Sequence, residues 1–363
     1  MMAEKKRVEQ KKLMPNYKFK IGLIIISGLL WQNTRGQELL SPEKLEKTTV
    51  FTSIDQALRT PDKVYQLDLL TSELKELPAS IGKFKRLQRL FLYENQLKSL
   101  PPEIGELINL QELYLDGNQI EQLPPEIGKL NNLEILGLHG NKLKTLPKEI
   151  VGLKKLKTII LTENQVVVLP EEIGELTNLE SIDLAYNKLT TLPKKIGKLH
   201  RLKQLFLTAN RINKLPAEVG MLLNLEEFYA DDNLLYSIPR EIGNMTNLQQ
   251  LGLANNKILQ LPSTIGDLAE LQNLYLSGNQ LKTLPPEIGK LRALQNLYLS
   301  DNQLSYLPKE MGRLSNLKEL NLYNNKLTQL PAEFSELSNL ENLGIGKNEL
   351  KILPEKLSSV HIY

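Results

Sequence analysis

Aliphatic residues recur along this chain with a period of 23 residues, and polar residues fill the positions between them. From Leu87 the sequence reads LQRLFLYENQLKSLPPEIGELIN, and the pattern LxxLxLxxNxLxxLPxEIGxLxN repeats over twelve turns without insertion or deletion. Ser72 lies one period before the first marker asparagine and starts an imperfect thirteenth turn. A proline six residues after each marker accounts for thirteen of the 19 prolines. The pattern therefore predicts a repeat structure.

Each part of the repeat predicts a local structure. Alternating leucines, such as Leu90 and Leu92, point inward from a short strand, and stacked turns bury the leucines that one turn alone would expose. The Leu-Pro step ends regular hydrogen bonding, and Glu-Ile-Gly-x-Leu predicts a short helical or 3₁₀ turn. We predict an α/β solenoid over residues 64–354, a horseshoe of about 13 repeats with a concave parallel β-sheet and convex short turns.

The asparagine of each turn has a predicted structural role. At a sharp bend its side chain can bond backbone groups of its own and the neighbouring turn, which would otherwise be buried without partners. The predicted hydrogen-bonded ladder consists of Asn95, Asn118, Asn141, Asn164, Asn187, Asn210, Asn233, Asn256, Asn279, Asn302, Asn325 and Asn348.

The two ends of the solenoid need covers, because an open sheet edge leaves backbone groups unpaired. Within residues 37–63, Ser53 and Gln56 have the spacing of a capping box, an apolar face follows, and Pro61 stops the helix. This segment predicts an N-terminal cap helix. Residues 355–363 predict only a short C-terminal cap or tail, an end that frays or packs against a partner.

Residues 1–36 have the pattern of an export leader. A basic stretch precedes the apolar run 21–31, which is shorter than the roughly 20 residues that span a bilayer. Thr34 and Gly36 are small residues at the right distance from a cleavage site before Gln37, and Met14 is an alternative start. An uncleaved anchor and a buried strand are the alternatives. No cysteine follows the run, so a lipoprotein is excluded.

The residue between the paired core leucines points away from the core in every turn. Six of these thirteen positions are aromatic in a chain with 6% aromatic residues. Because exposed aromatic residues on a rigid sheet are typical of binding hot spots, we predict a protein-binding concave face. Since register points the rings outward, we also expect their replacement to leave the melting temperature nearly unchanged. The predicted contact residues are Phe91, Tyr93, Tyr114, His139, Phe206, Tyr229, Asp231, Tyr275, Tyr298 and Tyr323.

One block of the outward row recurs. Asp68, Phe91, Tyr114 and Gly137 return as Asp183, Phe206, Tyr229 and Gly252, five turns later. Duplication of a block during repeat expansion explains this recurrence, and a repeating or bivalent ligand is the second interpretation.

Composition removes several function classes. The chain has no cysteine and three scattered histidines, which excludes disulfides and thiol nucleophiles and makes a metal site unexpected. Eight basic and two acidic residues fall within 1–36, so the remaining chain carries −3 rather than the +3 of the whole. Such a body has no electrostatic reason to bind nucleic acid. Neither a cofactor nor a small-molecule substrate is indicated, and we expect a monomer.

The 23-residue motif resembles that of leucine-rich repeat proteins of the LPxEIGxLxNL type. The likeness is greatest to the secreted spirochaete-type bacterial members, which also pair an export leader with a segment like Phe51–Val64. Departures are few: Val151 and Ser335 replace the usual glycine, and Phe228 and Ala230 replace the paired leucines of one turn. The resemblance implies a solenoid that binds protein through its concave face, and it implies no enzymatic activity.

Two functions are consistent with these features. The first is an exported, non-enzymatic module that binds a host or cell-surface protein and is secreted, periplasmic or held at the cell surface after leader removal. The second is an intracellular, cytoplasmic scaffold that organises a signalling complex. The leader favours the first, because a cytoplasmic scaffold does not need an export signal.

The leader hypothesis makes an optical prediction. Trp31 is the only tryptophan of the chain, and it lies in the segment that cleavage before Gln37 would remove. Protein recovered from outside the cytoplasm should therefore show tyrosine emission without tryptophan emission. Tryptophan fluorescence from that protein would mean that the apolar run is retained.

Overall fold

A computed structural model describes residues 39–351 and 360–363 of the chain. These residues form one unit, Leu39–Tyr363. The predicted leader, and the part of the predicted C-terminal tail between 355 and 359, lie outside the described residues. No helix among the described residues is long and apolar enough to cross a membrane.

The described residues contain one sheet of fifteen parallel strands that lie side by side in sequence order. Each repeat strand has three residues, of which the middle one is buried and the outer two face the concave side. The strands are β1 Val50–Phe51, β2 Gln66–Asp68, β3 Arg89–Phe91, β4 Glu112–Tyr114, β5 Ile135–Gly137, β6 Thr158–Ile160, β7 Ser181–Asp183, β8 Gln204–Phe206, β9 Glu227–Tyr229, β10 Gln250–Gly252, β11 Asn273–Tyr275, β12 Asn296–Tyr298, β13 Glu319–Asn321, β14 Asn342–Gly344 and β15 His361–Ile362.

The register between repeat strands equals the sequence period. Leu90 of β3 lies beside Leu113 of β4, 23 residues later, and the same offset holds from β2 to β14, as in the pairing of Leu297 with Leu320. The sheet does not close on itself. The prediction of a leucine-rich solenoid with a concave parallel sheet is confirmed.

Short 3₁₀ helices form the opposite, convex layer. Those of the repeats begin directly after the repeat proline; Pro101, for example, is extended with φ −70° and ψ 152°. The 3₁₀ helices of the described residues are Pro61–Lys63, Ala79–Lys83, Pro102–Glu106, Pro125–Lys129, Lys148–Gly152, Glu171–Glu175, Lys194–Lys198, Ala217–Met221, Arg240–Asn244, Ser263–Asp267, Pro286–Lys290, Lys309–Arg313 and Ala332–Glu336.

The core fills the space between the sheet and the 3₁₀ layer. Leu90 and Leu92 from the strand side and Ile104 and Leu107 from the convex side are completely buried. In one turn Phe228 and Ala230 replace two leucines, and both are also completely buried. A large and a small side chain thus share one layer, which keeps its total volume close to that of a leucine pair.

The repeat glycine of the convex layer permits close packing of neighbouring turns. A Cβ atom on Gly105 would lie 2.7 Å from the carbonyl oxygen of Glu126 in the next turn. Val151 occupies this position in one repeat, and the 3₁₀ helix Lys148–Gly152 still forms there with Val151 partly exposed. The helix Ala332–Glu336 likewise forms with Ser335 in the glycine position.

Each marker asparagine bonds two successive turns. The Asn210 Oδ1 atom accepts from the Leu189 N–H (2.9 Å), while its Nδ2 donates to the carbonyl oxygens of Leu184 and Leu207 (both 2.9 Å). The same pattern runs from Asn95 to Asn348. The eleven asparagines up to Asn325 are 5–8% exposed, so these bonds satisfy backbone groups that water does not reach.

The bend at each asparagine requires an unusual backbone conformation. The residue that precedes each of the twelve asparagines has a positive φ, from 51° at Glu94 to 70° at Gly278. Only three of these twelve residues are glycine, and one is the bulky Tyr186 (φ 56°). A left-handed conformation costs a non-glycine residue about 1–2 kcal/mol, so the surrounding hydrogen bonds must hold it in place.

The N-terminal cover differs from the single predicted helix. It contains helix α1 Pro42–Leu45, strand β1 and helix α2 Ile54–Leu58. The predicted capping box is wrong, because the Ser53 side chain makes no capping bond; instead Ser41 caps α1 by accepting from the Lys44 N–H. The buried Gln66 ties the cover to the sheet by donating to the Leu45 carbonyl oxygen (2.8 Å).

The C-terminal end continues the sheet by one strand that the repeat pattern did not predict. Strand β15 pairs with β14 in parallel, His361 opposite Asn342. The Tyr363 N–H donates to the Leu343 carbonyl oxygen (3.1 Å), and the Ile345 N–H donates to the Tyr363 carbonyl oxygen (3.0 Å). Exposed His361 and Ile362 show that this final strand is a thin cover.

The ladder predicts position-dependent stability. Asn210→Ala should lower the free energy of unfolding by about 1–3 kcal/mol, because buried backbone groups lose their partners. Asn348→Ala should cost less, because Asn348 makes the same bonds but is only partly buried. Urea titration followed by circular dichroism compares the two variants, and equal losses would contradict this account.

Candidate functional site

The concave face is defined here as the three outward positions of each turn: the first and third strand residues and the residue two positions later, as in Arg89, Phe91 and Tyr93. The rim is the residue that precedes each marker asparagine. Nine of the ten predicted contact residues have a ring: His139 and the eight aromatic residues Phe91, Tyr93, Tyr114, Phe206, Tyr229, Tyr275, Tyr298 and Tyr323. All nine, and Asp231, lie on the concave face and are partly exposed.

Three rings form an N-terminal cluster. The centroids of Phe91 and Tyr114, on neighbouring strands, are 5.4 Å apart with the ring planes 4° from parallel. Tyr93 stacks on both, at 6.2 Å from Phe91 and 5.1 Å from Tyr114. The Tyr114 hydroxyl donates to Glu112 Oε2 (3.2 Å), and Glu112 pairs with Arg89 (2.8 Å). The cluster therefore ends in a fixed polar edge.

Four rings form a second cluster nearer the C-terminus. Phe206 and Tyr229 stack at 5.8 Å, and Tyr275 and Tyr298 stack at 5.1 Å with planes 4° from parallel. Tyr229 also contacts Tyr275 at 6.2 Å, although these two strands are not neighbours. Gly252 lies between them, and the absence of a side chain there lets the two rings approach across it.

The stacking bears on the expected stability of ring variants. The rings point away from the core, yet each is partly buried by its neighbours. Because a stacked aromatic pair contributes about 0.5–1.5 kcal/mol beyond its buried area, replacing one ring should lower stability measurably. The stacking therefore favours a measurable decrease in melting temperature over the nearly unchanged value expected from register alone.

Two predicted contact residues lie outside these clusters. Tyr323 stands alone near the C-terminal end, where the Lys347 Nζ lies 5.3 Å from its ring centroid. His139 lies in the turn after Tyr114, and its backbone N–H donates to Asp116 Oδ1 (2.9 Å). The structure thus brings seven of the ten predicted residues into two ring clusters and places Asp231 beside the second.

Three aspartates on the concave face have raised pKa values. Burial, with a smaller contribution from the charge of Asp232, raises the pKa of Asp231 to about 6, in spite of the lowering effect of the hydrogen bond from the Ala254 N–H. Burial also raises the pKa of Asp116 and of Asp183. The fold thus holds these carboxylates where water stabilises their charged form poorly.

The concave face is far more acidic than the chain as a whole. It carries one basic residue, Arg89, against seven carboxylates: Asp68, Glu112, Asp116, Asp183, Glu227, Asp231 and Glu319. The rim adds Glu94, Glu163, Asp232 and Asp301 against Lys347. Net charge alone did not reveal this segregation, although counting charges by repeat position would have done so. A surface of complementary charge would be basic.

The repeat region of this chain matches a known protein family. The profile of the leucine-rich repeat region matches residues 103–188, 182–256 and 242–350, which together span more than half of the chain. The chain belongs to the leucine-rich repeat family. A search of curated protein sequences finds no match.

Solved leucine-rich repeat structures share this architecture. A leucine-rich repeat protein of Leptospira interrogans is 34% identical with a TM-score of 0.66, and the match covers 87% of this chain and 100% of that one. The plant peptide hormone receptor RGFR1, solved with RGF2, is 31% identical with a TM-score of 0.68, over 86% of this chain and 56% of the receptor chain. An internalin of Listeria monocytogenes shares the fold at 24% identity and a TM-score of 0.72, over 83% and 87% of the two chains.

A second ladder of this leucine-rich repeat domain was missed from the sequence. The last asparagine of the consensus bonds the preceding turn on the convex side; the Asn109 Nδ2 donates to the Lys85 carbonyl oxygen (2.7 Å), and Asn178 donates to Lys154 in the same way (2.7 Å). The recurrence of this asparagine in seven turns was a usable signal. Its role is structural.

The described part of the chain lacks the side-chain groupings that hold metal ions. No group of three or more His, Cys, Asp or Glu side chains lies close enough there to hold an ion. The concave carboxylates are instead spread one or two to a turn. This spacing suits contact with an extended surface better than chelation.

Asp231 makes a stability prediction. Its folded-state pKa of about 6 lies above the ordinary 3.8, so stability from this group is fully present below about pH 4 and is lost as pH rises through about 6. Asp231→Asn keeps the Oδ1 acceptor and removes the charge. Its stability relative to the unmodified protein should therefore rise between pH 4 and 7, by on the order of 2–3 kcal/mol.

The matched control is Asp301→Asn, on the exposed rim. Its effect on stability should be small, because the side chain is exposed to solvent. Thermal melts at four or five pH values measure both differences. A pH-independent difference for Asp231→Asn would contradict the burial account.

Proposed function

We propose that this protein is an exported, non-enzymatic binding module that recognises a protein partner, a host or cell-surface protein, through its concave face. The observation that carries the proposal is the row of stacked, partly exposed rings on a rigid parallel sheet, bordered by carboxylates. Two ring clusters offer apolar contact area on an otherwise acidic surface. The first extends from Phe91 to Tyr114, and the second from Phe206 to Tyr298.

Rings that are already ordered in the free protein lose little side-chain entropy when they bind. Aromatic side chains dominate interface energetics when they are rigid and surrounded by polar groups that exclude water. Here stacking already fixes Tyr275 against Tyr298 in the free protein. Binding would therefore lose little side-chain entropy, and more of the contact energy would appear as affinity.

The similar structures support a protein partner. The plant receptor is described with the peptide RGF2, and the leucine-rich repeats of FLRT2 are described in a complex with Latrophilin 3 and Unc5D. Leucine-rich repeat domains are in general interaction modules rather than enzymes. Export is supported by the sequence pattern of residues 1–36, and we propose secreted or cell-surface placement as a monomer on that basis.

The proposal is tested with two sets of variants of the full chain. The concave set is Phe206→Ser and Tyr229→Ser, and the convex set is Glu103→Ala and Glu172→Ala. A partner is first captured from host and cell-surface proteins and identified, and its affinity for each variant is then titrated. Each concave variant should weaken binding by more than about 1 kcal/mol, and each convex variant should change it little.

Melting curves of the same variants separate lost contact from lost fold. Because the rings stack, Phe206→Ser should melt somewhat earlier, but it should remain folded at the titration temperature. Loss of binding in the convex set together with unchanged binding in the concave set would move the site to the other side of the solenoid and refute the proposal.

A further inference from the structure

We propose that the concave face carries two equivalent stations for basic side chains, centred on Asp116 and Asp231, and that the partner presents two arginine or lysine side chains to them. The stations are five turns apart, which at about 4.8 Å per strand is about 24 Å. This inference rests on the proposed function, since it names the chemistry of a partner bound to the concave face.

The two carboxylates are held in the same way. Asp116 Oδ1 accepts from the His139 N–H (2.9 Å), and Asp231 Oδ1 accepts from the Ala254 N–H (2.8 Å). Each bond reaches the next turn, so it fixes the carboxylate on the sheet. The second oxygen of each carboxylate is directed toward the strand glycine of that next turn.

That glycine lets the carboxylate and a ring pack closely over the same strand position. A Cβ atom on Gly137 would lie 2.6 Å from Asp116 Oδ2 and 3.0 Å from Tyr114 Cδ1. A Cβ atom on Gly252 would meet Asp231 Oδ2 and Tyr229 Cδ1 in the same way. Each station therefore combines an anchored carboxylate with a ring edge, packed side by side over a glycine.

This combination suits a guanidinium or ammonium group. A carboxylate accepts its charge-assisted hydrogen bonds, and an adjacent aromatic ring attracts the cation while it packs against the aliphatic stem. Asp116 Oδ2 is buried and accepts no hydrogen bond from the described residues. An unpaired buried oxygen is costly, and a donor supplied by a partner would relieve that cost.

The described residues do not supply the cation themselves. Among the ion pairs of the described residues, none includes Asp116 or Asp231. The one basic residue of the concave face, Arg89, is engaged with Glu112 at 2.8 Å. The rim lysine, Lys347, lies over the Tyr323 ring. A cation at either station is therefore not drawn from the described residues, and we assign it to the partner.

The stations differ in one neighbour. His139 follows Asp116, where its charge when protonated favours the ionised carboxylate and competes with an incoming cation. Ala254 occupies the equivalent place beside Asp231. A cation at Asp116 therefore has a histidine as a neighbour, which a cation at Asp231 does not.

The probes are synthetic peptides with two arginines on a polyproline spacer, which rises about 3.1 Å per residue and is semi-rigid. Arginines eight positions apart span about 25 Å, and arginines four positions apart span about 12 Å. A peptide with one arginine and the same length completes the set. Affinity for the full chain is measured by calorimetry at low and at physiological salt.

The eight-position peptide should bind at least ten-fold tighter than the one-arginine peptide, because the second arginine binds intramolecularly. The four-position peptide should lack most of this gain. Asp116→Asn or Asp231→Asn should remove the gain, whereas Asp301→Asn on the rim should change affinity less than two-fold. Melting curves confirm that each variant is folded.

Three results would overturn the stations. Equal losses from Asp231→Asn and Asp301→Asn would mean that only the overall charge attracts the peptide. Equal affinities of the two-arginine peptides would mean that no pair of sites exists at this spacing. If no basic peptide binds, while Phe206→Ser still abolishes capture of the protein partner, the stations are wrong and the concave interface of the proposed function stands.

Discussion

The side-chain amide of one asparagine per turn is the interaction on which this structure depends. At each turn the chain leaves the strand through a residue of positive φ and buries backbone groups that no strand partner can satisfy. The amide oxygen accepts one of these N–H groups, and the amide nitrogen donates to carbonyl oxygens of two turns, as at Asn210. Because the bonds join successive turns, they hold the turns in register as well as fixing the bend.

The constant period sets the spacing of the concave face. Strands that lie about 4.8 Å apart bring equivalent side chains to the distance at which rings stack. Phe91 with Tyr114 and Tyr275 with Tyr298 use this distance, at 5.4 and 5.1 Å. The same regularity buries the carboxylate of Asp231 and raises its pKa. The face thus gains rigid apolar contact area and retains ionised groups at a cost in stability, a combination that is common at functional sites.

The repeat period was sufficient to predict the strand layer, the convex 3₁₀ turns and the side of the sheet on which each aromatic residue lies. It was not sufficient at the ends, because Val50–Phe51 and His361–Ile362 pair with the sheet without belonging to the repeat. Nor could it predict which rings touch. The contact between Tyr229 and Tyr275 depends on Gly252 and on side-chain rotations, and repeat position specifies neither.

The fold does not need the buried carboxylates of the concave face. At the position of Asp116 and Asp231, other turns carry alanine, threonine or serine, such as Ala185, Thr208 and Ser277, and their strands and asparagine bonds are the same. A buried carboxylate is therefore not required to build a turn, and its desolvation opposes folding at neutral pH. Duplication explains why the two aspartates are five turns apart, but it does not explain a group that destabilises the free protein. A cation supplied by a partner would explain such a carboxylate, because the cation would offset the desolvation cost in the complex.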